Sequence, residues 1–374
     1  MRAVFYAHSV TSDWNNGNAH FLRGIVRELV RRGHDIVVAE PAAGWSLANL
    51  LAERGRGAIA EFEHSFPEIR VLRYDAGFDH DELLDTADLV IVHEWTEPAL
   101  LAHIGAARRS WGSFTLLFHD THHRSVSAQD EIFRLPLADC DGVLVFGATL
   151  RERYMEAGWG RQAHTWHEAA DVSIFHPRPV EKTGDLIWIG NWGDDERSAE
   201  ITEFLVEPAR QLALKANVHG VRYPPSAIRS LGEAHIGYHG WIANAEVPKA
   251  FAAHHLTLHI PRRPYRRQLP GVPTIRVFEA LACGIPLVSA PWDDVEALFR
   301  PGIDFLFAHD GGQMRHRIEQ LLADSDWRTE LARKGRETIL ARHTCAHRVD
   351  ELLRILAGCG TRRLTSEIEA LEVV

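Results

Sequence analysis

The sequence predicts an α/β protein made of two doubly wound parallel-sheet domains. Short apolar strand patterns alternate with helix-period segments along most of the chain. Its 374 residues exceed what one compact core normally covers. The alternation stops at a proline-bearing stretch, 171–184, and restarts as a fresh strand at 185. The expected organisation is a first domain over 1–170, a linker over 171–184, a second domain over 185–343, and a C-terminal helix and tail over 344–374 that packs back on the first domain.

Composition narrows the function classes. Hydrophobic residues at 45% and charged residues at 25% are ordinary for a globular protein with a sizeable core. A net charge of −10 argues against general affinity for nucleic acid or anionic membrane. No apolar run is long enough to span a bilayer, and residues 1–8 read as a strand rather than a secretory signal. Cys140, Cys283, Cys345 and Cys359 are scattered without a CxxC pair, so reduced thiols and a cytoplasmic location are expected.

In the first domain, residues 2–8 form a buried-strand pattern followed by a polar loop containing Asn16, Gly17 and Asn18. Phe21, Leu22, Ile25, Leu29 and Val30 then repeat at helical spacing, Gly33 ends the helix, and 35–39 is the next strand. Such a loop lies at the carboxyl edge of the sheet, where doubly wound domains bind ligands; Asn18 as a helix cap and His20 as a surface residue are the plainer readings. Further strands are expected at 70–74, 89–93, 114–118, 142–146 and 162–166, with helices near 81–85, 97–108 and 148–157. Two strand ends are unusually polar: His93-Glu94-Trp95-Thr96-Glu97 and His119-Asp120-Thr121-His122-His123-Arg124. The second reads as a metal cluster or as a histidine that bonds substrate beside a carboxylate; its spacing matches no standard zinc motif, and no metal is expected.

In the second domain, strand 185–189 leads into the loop Gly190-Asn191-Trp192-Gly193 and a helix expected to start near Arg197. Glycines at a strand end let a phosphate approach the backbone, and a first-turn Arg would neutralise it. Strands follow at 217–219, 235–238 and 256–260, with Gly240-Trp241-Ile242 between the last two. Four arginines, Arg262, Arg263, Arg266 and Arg267, then fall in one turn, either solvated or clamping a diphosphate. Next comes the stretch 274–291. Thr274 is the expected N-cap of a short helix, Gly284 its left-handed stop, and Pro286 opens a buried strand. Glu279 sits there among apolar residues, paired with Arg276 one turn earlier or accepting bonds from ligand hydroxyls. Strand 304–307 and helices at 311–323, 326–342 and 344–356 complete the domain, with a weak helical pattern at 364–371.

The string Phe278-Glu279-Ala280-Leu281-Ala282-Cys283-Gly284-Ile285-Pro286-Leu287-Val288 resembles the signature of glycosyltransferases with the two-domain GT-B fold, most of all the CgeB-type, spore-maturation-like group and more distantly glycosyltransferase family 4. Residues 142–154, 171–177, Gly240-Trp241 and 302–307 follow in the order that resemblance requires. It implies two Rossmann-like domains facing across a cleft, and metal-independent transfer of a sugar from a nucleoside-diphosphate sugar, UDP or GDP type, to an acceptor hydroxyl on a glycan, protein or small molecule. No other cofactor is implied. By resemblance, Glu279 binds the ribose hydroxyls, and Thr274, Ile275 and Arg276 lie by the diphosphate. Gly190, Asn191 and Arg197 approach phosphate, and Trp241 and Ile242 hold the base. Asn16, Gly17, Asn18 and His20 match the loop facing acceptor and donor, and His119 matches a histidine that contacts the sugar. Family 4 members usually carry a second acidic residue eight positions before the ribose-binding Glu; Gly271 stands there.

Arg197, Arg276, Arg262 and Arg263 are the expected stabilisers of the leaving diphosphate. For inverting transfer the candidate bases are His20, His119 and Asp120, with Glu94, Trp95 and His122 on the acceptor side. The competing readings are a nucleotide-sugar epimerase or hydrolase on the same fold, and a non-catalytic sugar-nucleotide-binding protein.

Overall fold

The computed structural model describes residues 1–359, so the helical pattern expected at 364–371 lies outside the described residues. The chain forms two units: Met1–His167 together with the segment from Cys345, and Glu168–Thr344.

The first unit is a seven-stranded, wholly parallel sheet of β1 (Arg2–Tyr6), β2 (Asp35–Pro41), β3 (Val71–Tyr74), β4 (Leu89–His93), β5 (Thr115–Asp120), β6 (Gly142–Val145) and β7 (Ala163–Thr165). Their order is β3-β2-β1-β4-β5-β6-β7. The chain winds outward from β1 through β2 to β3, then restarts at β4 on the other side of β1. That reversal is the switch point beside which such sheets bind ligands. The β1 and β4 strands are buried along nearly their whole length, because helices cover both faces. The helix Cys345–Gly358 belongs to this unit and packs on Asn18–Arg31. Arg32 bonds Asp350 and the Ala346 carbonyl, and Trp166 Nε1 donates to Arg348 O at 2.8 Å.

The second unit is a six-stranded parallel sheet of β8 (Gly184–Ile189), β9 (Ala216–His219), β10 (Gly237–Tyr238), β11 (His254–His259), β12 (Leu287–Ser289) and β13 (Leu306–Phe307). The order β10-β9-β8-β11-β12-β13 puts its switch point between β8 and β11. Alternate β8 residues feed opposite cores: Leu186 and Trp188 join one cluster, Ile187 and Ile189 the other.

Several elements differ from expectation. The strands expected at 235–238 and 304–307 shrink to two residues each, Gly237–Tyr238 and Leu306–Phe307. Helices Trp45–Arg54, Gly57–Ser65 and Pro225–Glu233 have no counterpart in the sequence reading. The first two are short and split at Gly55, whose φ of +73° ends one helix before the next begins. Arg197 precedes rather than opens its helix, which runs Ser198–Ile201, a π-helical turn Thr202–Val206, then Glu207–Gln211. The stretch 274–291 folds as expected, as helix Ile275–Ala282, turn and β12. Ile285 N–H bonds Ala280 O and Gly284 N–H bonds Leu281 O with Gly284 at φ +65°, a Schellman stop.

Candidate functional site

Each unit gathers buried polar side chains at its switch point. In the first, the loop after β1 is built around Glu40, a wholly buried carboxylate on β2. Glu40 accepts from Val10 N at 2.8 Å, Thr11 N at 3.0 Å, the hydroxyls of Ser9 and Thr11, and Arg73 Nε. Arg23, 3% exposed, braces the same loop through Val10 O, Thr11 O and Asp13. Asn16 bonds the carbonyls of Ser9 and Ser12. Gly17, not Asn18, takes the N-cap position, and Asn18 is the first helical residue. His20 follows in the first turn, 7% exposed, with Nε2 4.0 Å from Asp13 Oδ2.

The ends of β4 and β5 hold the second part. His93 and His119 lie edge to face, ring centroids 5.6 Å apart, and His119 also packs on Phe21 and Trp166. Burial pushes the His119 imidazole down to about 3 and His93 well below its ordinary value, so both rings are neutral at physiological pH. Among the described residues, no hydrogen-bond partner faces His119 Nε2. Asp120 is a scaffold rather than an accessible base. It is wholly buried and accepts from Tyr154 Oη at 2.6 Å and His122 N at 2.9 Å. Glu94 is buried beside it, and burial together with the Asp120 charge raises the Glu94 carboxyl well above the carboxylate range. Among the described residues no group of three or more His, Cys, Asp or Glu is gathered so as to hold a metal ion. Trp95 is exposed, with the Arg124 guanidinium 4.5 Å from its ring and His122 edge-on at 5.4 Å.

In the second unit Glu279 is 1% exposed, with Asn244 Nδ2 on Oε1 at 3.2 Å and Arg276 on Oε2. The pairing with Arg276 and the buried carboxylate thus coexist. Asn244 brings the loop carrying Trp241 and Ile242, both half-buried, alongside Glu279. Thr274 occupies the N-cap position without a side-chain capping bond. The Ile275 N–H is taken instead by Glu168, 6% exposed, whose carboxyl is raised well above its usual range by burial and then by the Glu279 charge.

The arginines expected at phosphate are already engaged. Arg197 is 9% exposed and turned inward, onto the carbonyls of Asn191, Trp192 and Ile260 and towards the Trp188 ring. Burial pulls it down to about 9, which leaves it charged. It braces the loop after β8. Arg262 pairs with Glu196 and Arg263 with Glu200 at 2.7 Å. Gly190 and Asn191 are tied to the loop after β9: Tyr223 Oη donates to Gly190 O and Val221 N to Asn191 Oδ1. Gly271, at φ +88°, packs under Val295, where a Cβ would fall 2.6 Å from its methyl.

Residues 197–354 match the family model described as "Glycosyl transferase-like". The matched stretch covers most of the second unit and runs on into the helix Cys345–Gly358 of the first. The whole-chain fold is similar to sucrose-phosphate synthase from Thermosynechococcus elongatus (TM-score 0.67, 16% identity, 96% of this chain and 99% of that one). It is equally similar to Anabaena HepE, solved in complex with UDP and glucose (TM-score 0.67, 14% identity, 96% and 100%). T4 phage BGT, solved in complex with its UDP-glucose substrate, aligns with a TM-score of 0.59, 13% identity, and 95% and 99% coverage. These likenesses fix the fold as the GT-B type, two Rossmann-like domains. No curated protein sequence matches the chain.

The second unit contains two polar residues that sequence reasoning did not single out, Asn244 and Glu168; in the first unit Asp13, Arg23, Glu40 and Tyr154 were missed likewise. Their signal is burial of a charged or polar group, which a single sequence does not display. Among the described residues, no helix is long and apolar enough to cross a membrane.

Proposed function

We propose that the protein transfers a sugar from a nucleoside-diphosphate sugar, UDP or GDP type, to an acceptor hydroxyl. The observation that carries this is the Glu279 carboxylate, buried and held between Asn244 and Arg276 on the helix Ile275–Ala282 within the matched domain. A buried carboxylate with fixed partners suits a pair of vicinal ribose hydroxyls, which it receives as hydrogen-bond donors. Arg276 and the backbone near Ile275 then face the diphosphate, and Trp241 and Ile242 the base. HepE, solved with UDP and glucose, supports the UDP type. Within the fold we place the chain beside the CgeB-type group, on the string 278–288 and the Gly271 departure.

For an inverting reaction a base must take the acceptor proton. His20 is the best placed of the three candidates, because Asp13 lies beside its Nε2 and the Arg23-braced loop fixes both. Asp120 has its oxygens occupied, and His119 is a neutral ring that orients the sugar. As charge develops on the leaving diphosphate, the Arg276 guanidinium supplies the compensating donors.

The test is transfer and nucleotide binding in Glu279→Gln and His20→Ala. A UDP or GDP thermal shift should be present in wild type, lost in Glu279→Gln and kept in His20→Ala, whose transfer falls at least ~100-fold. A nucleotide shift that survives unchanged in Glu279→Gln would remove the ribose assignment. Donor consumed with no acceptor present would favour the epimerase or hydrolase reading.

A further inference from the structure

Three side chains of the second unit that the transferase reading leaves unused form one chain of hydrogen bonds. His254 Nδ1 lies 2.8 Å from the Ala250 carbonyl, in the last turn of the helix Val247–Ala252. Its Nε2 lies 2.8 Å from Asn217 Nδ2, and Asn217 Oδ1 lies 2.7 Å from His239 Nε2. We propose that this chain is an acid-sensitive clasp that holds the end of β10 to β9 and has room for a single positive charge.

The protons follow from one fixed end. A carbonyl only accepts, so His254 Nδ1 carries the hydrogen. His254 is 6% exposed, and burial lowers its imidazole, helped by Lys182 and His239 and opposed by the Ala250 bond and Asp185. The neutral ring leaves Nε2 bare, to accept from the Asn217 amide nitrogen. The amide oxygen then faces His239, whose Nε2 donates. His239 is exposed and takes its second proton on Nδ1 with the chain intact. A proton added to His254 Nε2 would instead set N–H against N–H. The Asn217 amide can turn over to meet it with Oδ1, but its NH2 then faces His239, which must release its Nε2 proton to water. Either histidine can be charged while the clasp is closed; both cannot. His219 adds no third charge, because its ring stacks on His239 with centroids 5.1 Å apart, and burial first, His239 next, lower it to about 4.

The sheet makes room for this chain. Gly237 on β10 and Gly184 on β8 stand against it, where a Cβ would fall 2.6 Å from Asn217 Oδ1 and 2.5 Å from His254 Cδ2. Beyond His239 the backbone runs directly into residues 240–244, with Gly240 O accepting from Gly220 N at 2.8 Å and Asn244 on Glu279. Folded His254 binds a proton less readily than the unfolded chain. The clasp therefore contributes fully above the unfolded pKa, about 6.5, and is lost as pH falls below it. On the proposed function its opening loosens the segment that faces the donor base; that consequence rests on the donor reading, and the clasp itself does not.

Two-bond 1H–15N spectra of the histidine-labelled full chain, assigned with His239→Gln and His254→Gln, read the tautomers. At about pH 7.5 wild type should carry a proton on His254 Nδ1 alone and on His239 Nε2. On acidification His239 should charge first. Asn217→Asp supplies a carboxylate that accepts from both rings, so the His254 midpoint should rise by at least ~1 pH unit and the acid loss of stability to urea should shrink. His254 protonated on Nε2 in neutral wild type, both rings charging together in the closed fold, or Asn217→Asp titrating like wild type would each overturn the proposal. The UDP thermal shift should fall from about pH 7.5 to about pH 5.5 more in wild type than in Asn217→Asp, a comparison in which the nucleotide's own titration cancels. An equal fall would overturn the link to the donor segment. No UDP shift at either pH would count against the donor reading, while the tautomers still decide the clasp.

Discussion

Glu168→Gln should stabilise the protein at neutral pH and lose that advantage in acid. The carboxyl of Glu168 is 6% exposed, accepts the Ile275 N–H, and lies near the charge of Glu279. Burial first, and Glu279 second, hold its folded pKa well above the ordinary value. Between the unfolded carboxyl's pKa, about 4.3, and that raised value, the native protein keeps a proton that the unfolded chain has released. Native binds more protons than unfolded, so the contribution of Glu168 to stability is greatest below the unfolded pKa and declines as pH rises through the window. Gln has a similar shape, still accepts from Ile275 and does not titrate. The stability gap between variant and wild type should therefore widen by about 1.4 kcal/mol for each pH unit inside the window. Urea unfolding of both proteins in matched buffers across mildly acidic to neutral pH reads this directly. A gap that stays flat, or narrows as pH rises, would refute the buried, protonated state. Only the difference is informative, because neutral buried histidines such as His119 and His259 bias wild type the other way: acidification must charge them.

Two further substitutions test the framework. Tyr154→Phe leaves Asp120 Oδ2 without its 2.6 Å donor and should cost roughly 2 kcal/mol in urea unfolding while the UDP thermal shift persists; an unchanged midpoint would mean that the β5 network is not holding Asp120. Gly220→Ala places a Cβ 2.1 Å from Gly190 O, so the loop after β8 must move. About 1–3 kcal/mol of destabilisation and weaker UDP binding are expected, and wild-type values for both would contradict the close approach of these two loops.

The architecture was legible because its signals are local. Apolar strands, helical spacing and Pro/Gly punctuation recur at each step, and the stretch 274–291 carries its own stop signals down to the Schellman bonds at Gly284 and Ile285. The errors lie where local signals are weak or ambiguous. Gly55 breaks residues 45–65 into two short helices, and edge strands β10 and β13 keep two residues each. Site residues are harder, since chemistry depends on what meets a side chain across the sheet. Asp120 looked like a base from its polar surroundings, yet Tyr154, 34 residues later, already occupies it. Thr274 looked like a cap, yet Glu168, far away in sequence, reaches the helix first.

The arginines follow the same logic, and on the proposed function they decide how a donor would bind. Arg276 is on Glu279, Arg262 on Glu196, Arg263 on Glu200, and Arg197 on three carbonyls. On that function an incoming diphosphate would exchange one anionic or dipolar partner for another rather than meet a bare charge. The worth of each arginine to binding is a difference, which is small for exposed pairs because water screens both partners. On that function it would be largest at Arg276, whose partner Glu279 is nearly inaccessible to water and would gain ribose hydroxyls if the guanidinium turned to phosphate. Glu168 beside it works in the same direction. A neutral carboxyl at the start of that helix adds no repulsion, whereas an ionised one would oppose the donor's negative charge at the place where the helix N-terminus attracts it.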